Sequence, residues 1–364
     1  MSLLILKCDL GALSFNAQHI KELTQTPLIA VLKSEAYGAG APECARALEG
    51  EALAFAVAEA REAEALRRAG IKSDIMILGC SGEEELSASC EGIIPAIDRA
   101  ELIKELYRRN PFARLQLRLD LDGSGLGLDE RGFIRALEEL EERPTLELWG
   151  VFAHCPSIYS GGDCEALARR FDRLCELARP LNPALIRHIA TSAALSKECL
   201  YFDALRLGTA LMGLPSSEGQ AMEPLRPVLS LSSRLVRVFQ SKSELAFYDG
   251  YVDFGRISLA GVVAAGYGEL PALLGRKNVR AAVRGRTVPL VGRASMSHMI
   301  VDLSAVPDAA QGDEVVFVGK SGESQMSAAS FAASCGVSVC RVEGALMCTP
   351  SARRKYLHEE ERGR

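Results

Sequence analysis

Three kinds of pattern are missing from this chain, and each absence removes a class of function. No apolar run reaches the roughly 20 residues a membrane-spanning helix needs, and no signal peptide is apparent. A cytoplasmic location with no membrane partner is therefore expected. No block of lysine and arginine stands out, and the net charge of -5 is spread along the sequence, so nucleic acid is not an expected partner. None of the 11 cysteines forms Cys-x-x-Cys, the tightest spacing being Cys335 to Cys340. Spacing thus offers neither a zinc site nor a redox pair, and no metal is expected. A chain of 364 residues needs no disulfides for stability, so reduced thiols are expected.

What is present is an ordinary soluble composition, 48% apolar and 24% charged, in a chain long enough for two domains. Short apolar runs recur at 28–32, 53–57, 74–78, 93–97, 115–119, 148–153, 187–191 and 204–207. Amphipathic stretches such as 59–69, 99–109, 130–142 and 164–179 lie between them. Strand and helix alternate, which argues for a parallel sheet with helical crossovers. Eight such strands are the number that closes a (β/α)8 TIM barrel. An open doubly wound sheet is the alternative, but no Gly-x-Gly-x-x-Gly follows the first strand.

After about residue 225 the texture changes. Runs at 229–238, 258–265, 279–283, 287–291, 299–303 and 314–318 read as strands separated by glycine and charged turns. The expected organisation is α/β: a barrel over residues 1–226, then a mostly β C-terminal domain over 227–364, with Pro224 and Pro227 near the boundary. The charged end is expected to fray after Leu357.

Ligands of such barrels bind at the C-terminal ends of the strands, which supplies a filter. Lys33 passes, because it ends the run at 28–32 and precedes a glycine-rich turn. A lysine at the mouth of a buried strand is expected to lose hydration, which frees a nucleophilic amine suited to a Schiff base with an aldehyde cofactor. On this stretch alone, a surface lysine ending a strand reads equally well. His154 ends the run at 148–153, Thr191 and Ser192 follow the seventh strand, and Arg206, Gly208 and Thr209 lie at the eighth. The loops after strands seven and eight commonly hold phosphate. A lysine and a phosphate site at one rim point to pyridoxal 5'-phosphate.

The same positions resemble the motifs of the alanine racemase family, in order from about Ile5 to Leu357. Ala30-Val-Leu-Lys33-Ser-Glu-Ala-Tyr37-Gly-Ala-Gly40 is similar to A-V-V-K-A-D-A-Y-G-H-G. Gly150-Val-Phe-Ala-His154 resembles G-x-x-T-H, His188-Ile-Ala-Thr-Ser192 resembles H-I-A-N-S, and Arg206-Leu-Gly-Thr-Ala-Leu-Met-Gly213 resembles R-P-G-I-A-L-Y-G. The resemblance implies that Lys33 holds the cofactor, that His154 lies against its ring, and that Arg206 pairs with the ring nitrogen. It implies phosphate contacts from Ser192, Gly208, Thr209, Tyr37 and Tyr356. An always-charged guanidinium beside that nitrogen keeps it unprotonated, which favours return of a proton to Cα over transamination. Racemisation needs a base on each face. The resemblance assigns Lys33 to one face and Tyr267, in Ala265-Gly-Tyr-Gly-Glu269, to the other, with each tyrosine serving its partner's site in a homodimer. His188, near a strand start, reads as a structural, hydrogen-bonded histidine. Cys155 adjoins His154, but neighbours on a strand point to opposite faces and would not form a nucleophile pair.

Two segments depart from the family pattern. The fifth-strand motif L-K-x-D-T-G-M-G-R-L-G is here Leu117-Arg118-Leu-Asp120-Leu-Asp122-Gly-Ser-Gly125-Leu-Gly127. Arg118 replaces the lysine, often carbamylated, and Gly125 replaces the arginine that helps hold the substrate carboxylate. Either Arg118 now supplies that charge, or it pairs with Asp120 or Asp122 and leaves the carboxylate to backbone. Gly292-Arg-Ala-Ser-Met296-Ser297 keeps the methionine whose amide meets the substrate carboxylate and loses the acid after it. The implied activity is an isomerase acting on a small amino acid, alanine first, with serine or a basic amino acid as the alternative. A protein that binds the cofactor with little turnover is a second reading. Basic amino-acid decarboxylases share the architecture, but their second-domain cysteine and glycine-rich phosphate loop are not evident; Cys335, Cys340 and Cys348 lack that context.

Overall fold

The computed structural model describes residues 3–79, 82–89, 92–156, 158, 161–216, 224–240, 244–247, 250–253, 257–338, 341–347 and 352–358. They form two compact units. One comprises Leu13–Ala36 and Ala41–Leu211; the other comprises Met1–Ala12, Tyr37–Gly40 and Met212–Arg364.

After β1 (Ile5–Asp9), which belongs to the other unit, the first unit is built on β2 (Leu28–Val31), β3 (Ala54–Val57), β4 (Ile75–Ile77), β5 (Ile93–Ile94), β6 (Ala96–Ile97), β7 (Arg114–Leu119), β8 (Glu147–Ala153), β9 (Ile186–His188) and β10 (Leu205–Leu207). All pair in parallel, in the orders β10-β2-β3-β4-β5 and β6-β7-β8-β9. Pro95 has no N–H and interrupts the ladder between β5 and β6, while its carbonyl accepts the Gln116 amide at 3.0 Å. A bridge between Thr191 and Arg206 joins the β9 side to β10. With β5 and β6 counted as one interrupted stave, eight parallel staves make the (β/α)8 TIM barrel expected from the alternating pattern. Every residue of β2, β3 and β4 is buried, as strands covered on both faces require.

The helices Ala60–Arg68, Glu101–Arg109, Glu130–Glu141 and Cys164–Ala178 fall on the amphipathic stretches read from the sequence. Glu130–Glu141 buries Phe133, Ala136, Leu137 and Leu140, a stripe at helical spacing. Asp129 and Asp163 cap their helices by accepting from the amides of Gly132 and Ala166, satisfying N–H groups the helix leaves unpaired.

The second unit is mostly β: β11 (Leu229–Gln240), β12 (Glu244–Phe247), β13 (Gly250–Asp253), β14 (Leu259–Val263), β15 (Arg280–Val283), β16 (Arg286–Val291), β17 (Met299–Asp302), β18 (Glu314–Ser321), β19 (Ser324–Met326) and β20 (Arg353–Leu357). The ring β11-β14-β17-β16-β15-β18 closes because β18 also pairs with β11, and closure leaves those strands no open edge. β1 pairs antiparallel with β11 and parallel with β20, setting Cys8 opposite Tyr356. The unit also carries short helices at Ala328–Ser334 and Val342–Leu346 and the β12–β13 hairpin, which the sequence reading passed over. The expected frayed end, residues 359–364, and Cys340 and Cys348 lie outside the described residues. Among the described residues, no helix is long and apolar enough to cross a membrane.

Candidate active site

Lys33 leaves the barrel two residues beyond the end of β2. Its neighbours are fixed on both sides: the Leu32 amide donates to the Ala56 carbonyl at 2.8 Å, and the Ser34 amide donates to Glu62 Oε1 at 2.5 Å. Glu62 Oε2 accepts the Ala58 amide at 2.7 Å. Beyond Lys33 the backbone turns left-handed, with φ of +52° at Ser34, +56° at Glu35 and +50° at Ala36. Such a conformation costs an L-residue about 1–2 kcal/mol each, so the surrounding bonds must hold it. Glu35 Oε2 accepts the Ala41 amide at 3.2 Å and ties the far side. Lys33 itself is exposed. The dehydration expected of its amine is therefore not found: the exposed lysine stands beyond the buried end of the strand.

Across the same rim, Arg206 on β10 is buried. Its Nη2 donates to the carbonyls of Ala153 at 2.5 Å and Ile189 at 3.2 Å, and its guanidinium carbon lies 4.9 Å from the Phe152 ring centroid. Immediately beyond, the buried Ser192 hydroxyl oxygen accepts the amides of Gly208 at 3.0 Å and Ala210 at 3.2 Å. Ser192 and the turn through Thr209 thus form one cluster. His154 is exposed overall, yet its pKa is lowered to about 4, first by the protein mass around the ring and then by the charges of Arg206, Lys33 and Arg118, with Asp122 opposing. It is neutral at pH 7.

His188 is fully buried, stacked on Phe152 at 5.3 Å and edge-on to Trp149 at 6.0 Å. Burial holds its pKa well below the usual range. Among the described residues neither ring nitrogen has a hydrogen-bond partner, so the role seen is stacking on its cross-strand neighbour rather than the hydrogen bonding expected from the sequence. Cys155 is buried beside exposed His154, and burial pushes its thiol up to about 12. The pair is no nucleophile.

The segment after β7 is folded tightly. Asp120 accepts from the Ser124 amide at 3.0 Å, the Ser124 hydroxyl at 3.2 Å and the Gly125 amide at 2.7 Å. Burial works to raise the Asp120 pKa, and these bonds more than offset it, leaving it lowered. Gly125 has φ +73° and open space where a side chain would start. At Gly127 a Cβ would meet the Asp120 nitrogen at 2.8 Å and the Arg118 carbonyl at 2.9 Å. Buried Arg118 donates from Nη1 to the Leu78 carbonyl at 3.2 Å and contributes to the rim's positive potential.

The second unit holds Tyr267, Met296, Tyr37 and Tyr356. Tyr267 is half-buried and its amide donates to the Ser295 carbonyl at 3.0 Å; the Gly268 amide donates to the Met296 carbonyl at 2.9 Å. A Cβ at Gly266 would run into the Met296 carbonyl, so glycine is required for the tyrosine and methionine segments to adjoin. Met296 is 61% exposed. Tyr37 and Tyr356 are both half-buried, and Arg354 Nε donates to the Gly38 carbonyl at 2.8 Å, which fixes the segment after Tyr37 beside β20. Sequence reasoning missed Glu62 and Phe152. An acid in the first turn of a helix just after a strand was the available signal for Glu62; Phe152 carried none.

Residues 8–216 match the family model described as alanine racemase, N-terminal domain, and residues 228–356 match alanine racemase, C-terminal domain. The alanine racemase of Nostoc sp. is 30% identical over 346 residues, 89% of this chain and 88% of that protein. That of Syntrophobacter fumaroxidans is 32% identical over 345 residues, 90% and 91% of the two chains. The solved alanine racemase of Bacillus anthracis, with L-Ala-P bound, is 25% identical at a TM-score of 0.83, covering 99% of this chain and 96% of that one. The Clostridium difficile alanine racemase reaches a TM-score of 0.87 at 24% identity, over 99% and 97%, a likeness of fold.

Proposed function

The chain belongs to the alanine racemase family, and from that membership we propose that it interconverts L- and D-alanine by moving a proton at Cα with two bases. The family depends on pyridoxal 5'-phosphate. The donor set on the barrel rim fits that group: a primary amine at Lys33, backbone amides of Gly208 and Ala210 turned to the Ser192 hydroxyl, and the charge of Arg206. When bound, the cofactor supplies withdrawal of electron density from Cα, which makes the α-proton acidic enough to leave.

Every other task falls to the chain. Lys33 Nζ would hold the cofactor by its aldehyde, and the same amine takes or returns the proton on one face of Cα. Tyr267, contributed by a second copy of the chain, serves the opposite face, so the working form is a homodimer. Ser192, Gly208, Thr209, Tyr37 and Tyr356 bind the phosphate. His154, uncharged at neutral pH, would adjoin the cofactor without adding a competing cation. Arg206 keeps the ring nitrogen free of a proton. The Met296 amide and Arg118 hold the substrate carboxylate, Arg118 standing in for the arginine absent at Gly125. Residues 1–226 and 227–364 are the cofactor and β-rich domains of this scheme.

The observation that supports the reading is geometric: the Ser192 hydroxyl gathers the amides of Gly208 and Ala210 beside buried Arg206 on β10, and β10 pairs with β2, the strand that leads to Lys33. Incubation with pyridoxal 5'-phosphate and L-alanine, followed by chiral chromatography, tests it. D-alanine forms with the natural chain and not with Lys33→Ala. D-serine or D-lysine formed from its L-isomer faster than D-alanine would move the substrate assignment and leave the chemistry.

A further inference from the structure

We infer that Glu62 is a positioning residue for Lys33, acting through the left-handed turn that follows it. The inference rests on the reading that Lys33 carries the cofactor. The peptide plane joining Lys33 to Ser34 contains the Lys33 carbonyl carbon, so fixing its N–H fixes ψ at Lys33. Glu62 Oε1 accepts that N–H at 2.5 Å. Its other oxygen accepts the Ala58 amide at 2.7 Å, just beyond β3. One carboxylate therefore ties the first left-handed residue to the end of the neighbouring stave, while the Leu32 amide is bonded to Ala56 of that same stave at 2.8 Å. Lys33 is bracketed on both sides by β3 and the residues following it.

Four consecutive non-glycine residues in the left-handed region, Ser34 to Tyr37, will not stay there unaided. Among the described residues, Glu62 is the group that bonds the first of them to the end of a different stave, and a carboxylate offers two acceptor oxygens for two N–H donors. A carboxamide offers one oxygen, and its NH2 group would face the second N–H. Glu62→Gln therefore releases one end of the clamp with almost no change in volume. Lys33 is exposed, so no packed wall replaces the clamp in setting where its amine points.

The test uses the holoenzyme and compares the natural chain, Glu62→Gln, Glu62→Asp, and Glu62→Gln combined with Ser34→Gly. Borohydride fixes the cofactor to its lysine, and peptide mass mapping identifies the residue. The pH titration of the cofactor absorbance, kcat and KM for alanine, and Tm are recorded alongside. Label at Lys33, a shifted absorbance titration, a kcat lower by about 100-fold and a KM nearly unchanged are expected for Glu62→Gln. Adding Ser34→Gly should restore much of kcat, because glycine enters the left-handed region without strain. A titration and kcat equal to the natural chain's, or a loss confined to Tm, overturns the inference. Should the Gln variant not fold, Glu62→Asp is read by the same criteria. Label absent from Lys33 in the natural chain defeats the cofactor reading itself, and the inference with it.

Discussion

The guanidinium carbon of Arg206 lies 4.9 Å from the centre of the Phe152 ring, while one of its nitrogens donates to the Ala153 carbonyl. Charge, ring face and carbonyl together fix the direction of an arginine buried at the barrel rim. A planar, forked cation fits that arrangement and an ammonium does not. Arg206→Lys should keep the fold and lower kcat at least about tenfold, since loss of a cation–π contact and a fork bond removes on the order of 1–2 kcal/mol of orientation. Steady-state kinetics beside Tm separates this from unfolding; an unchanged kcat would exclude the role.

Ser192 holds two amides of the turn after β10 with one oxygen. Ser192→Ala strands both N–H groups in a buried setting, at about 1–3 kcal/mol. Lower Tm and a weaker Kd for pyridoxal 5'-phosphate are expected, measured by calorimetry and absorbance titration. Unaltered cofactor affinity would remove Ser192 from the phosphate site.

Arg118→Ala should raise the KM for alanine at least about tenfold, as loss of a charge-assisted carboxylate contact does. Gly125→Arg meets open space, and its main cost is the left-handed backbone at φ +73°, about 1–2 kcal/mol. In the Arg118→Ala background it should recover part of the lost affinity. Unchanged kinetics for Arg118→Ala would leave the carboxylate to backbone alone.

Acid should weaken the fold from just below neutral. His154, lowered to about 4, and His188, held well below 6.5, stay uncharged in the native chain, whereas the unfolded chain takes protons below about 6.5. The unfolded state then binds more protons, so stability present above pH 6.5 is lost as pH falls toward 4. His188→Phe keeps the stack on Phe152 and removes two unpaired ring nitrogens. Melting curves between pH 7 and 4.5 should fall less steeply for this variant; identical slopes would contradict the assignment.

Cys155, with its thiol pushed up to about 12, should resist iodoacetamide at pH 8, while exposed Cys199 reacts. Cys155→Ala should keep full activity. Peptide mapping after brief alkylation checks the first statement and kinetics the second.

The barrel was legible because its first staves, β2 to β6, are short, wholly apolar runs, and burial on both faces leaves that signature in the residues. The strand-end filter also matched the observed positions: Lys33, His154 and Ser192 lie within a few residues past β2, β8 and β9, and Arg206 lies on β10. The partners of β1 were not legible. Pairing of residues 5–9 with 229–232 and 353–357 is non-local, and nothing within the strand specifies it. The left-handed turn at Ser34–Ala36 was hidden because none of its residues is glycine, the usual marker of positive φ. Glu62 was hidden for a related reason: its role appears only once a strained backbone needs an acceptor.

The two-base mechanism is tested most directly by following the α-proton of L-alanine in D2O by NMR, with a chiral assay on the same sample. The natural chain with pyridoxal 5'-phosphate should exchange that proton and form D-alanine together. Tyr267→Phe should form almost none, because one face has lost its base. Inversion at the natural rate in Tyr267→Phe would contradict the assignment of the second base, and a natural chain that binds cofactor yet exchanges no α-proton would contradict the racemase account as a whole.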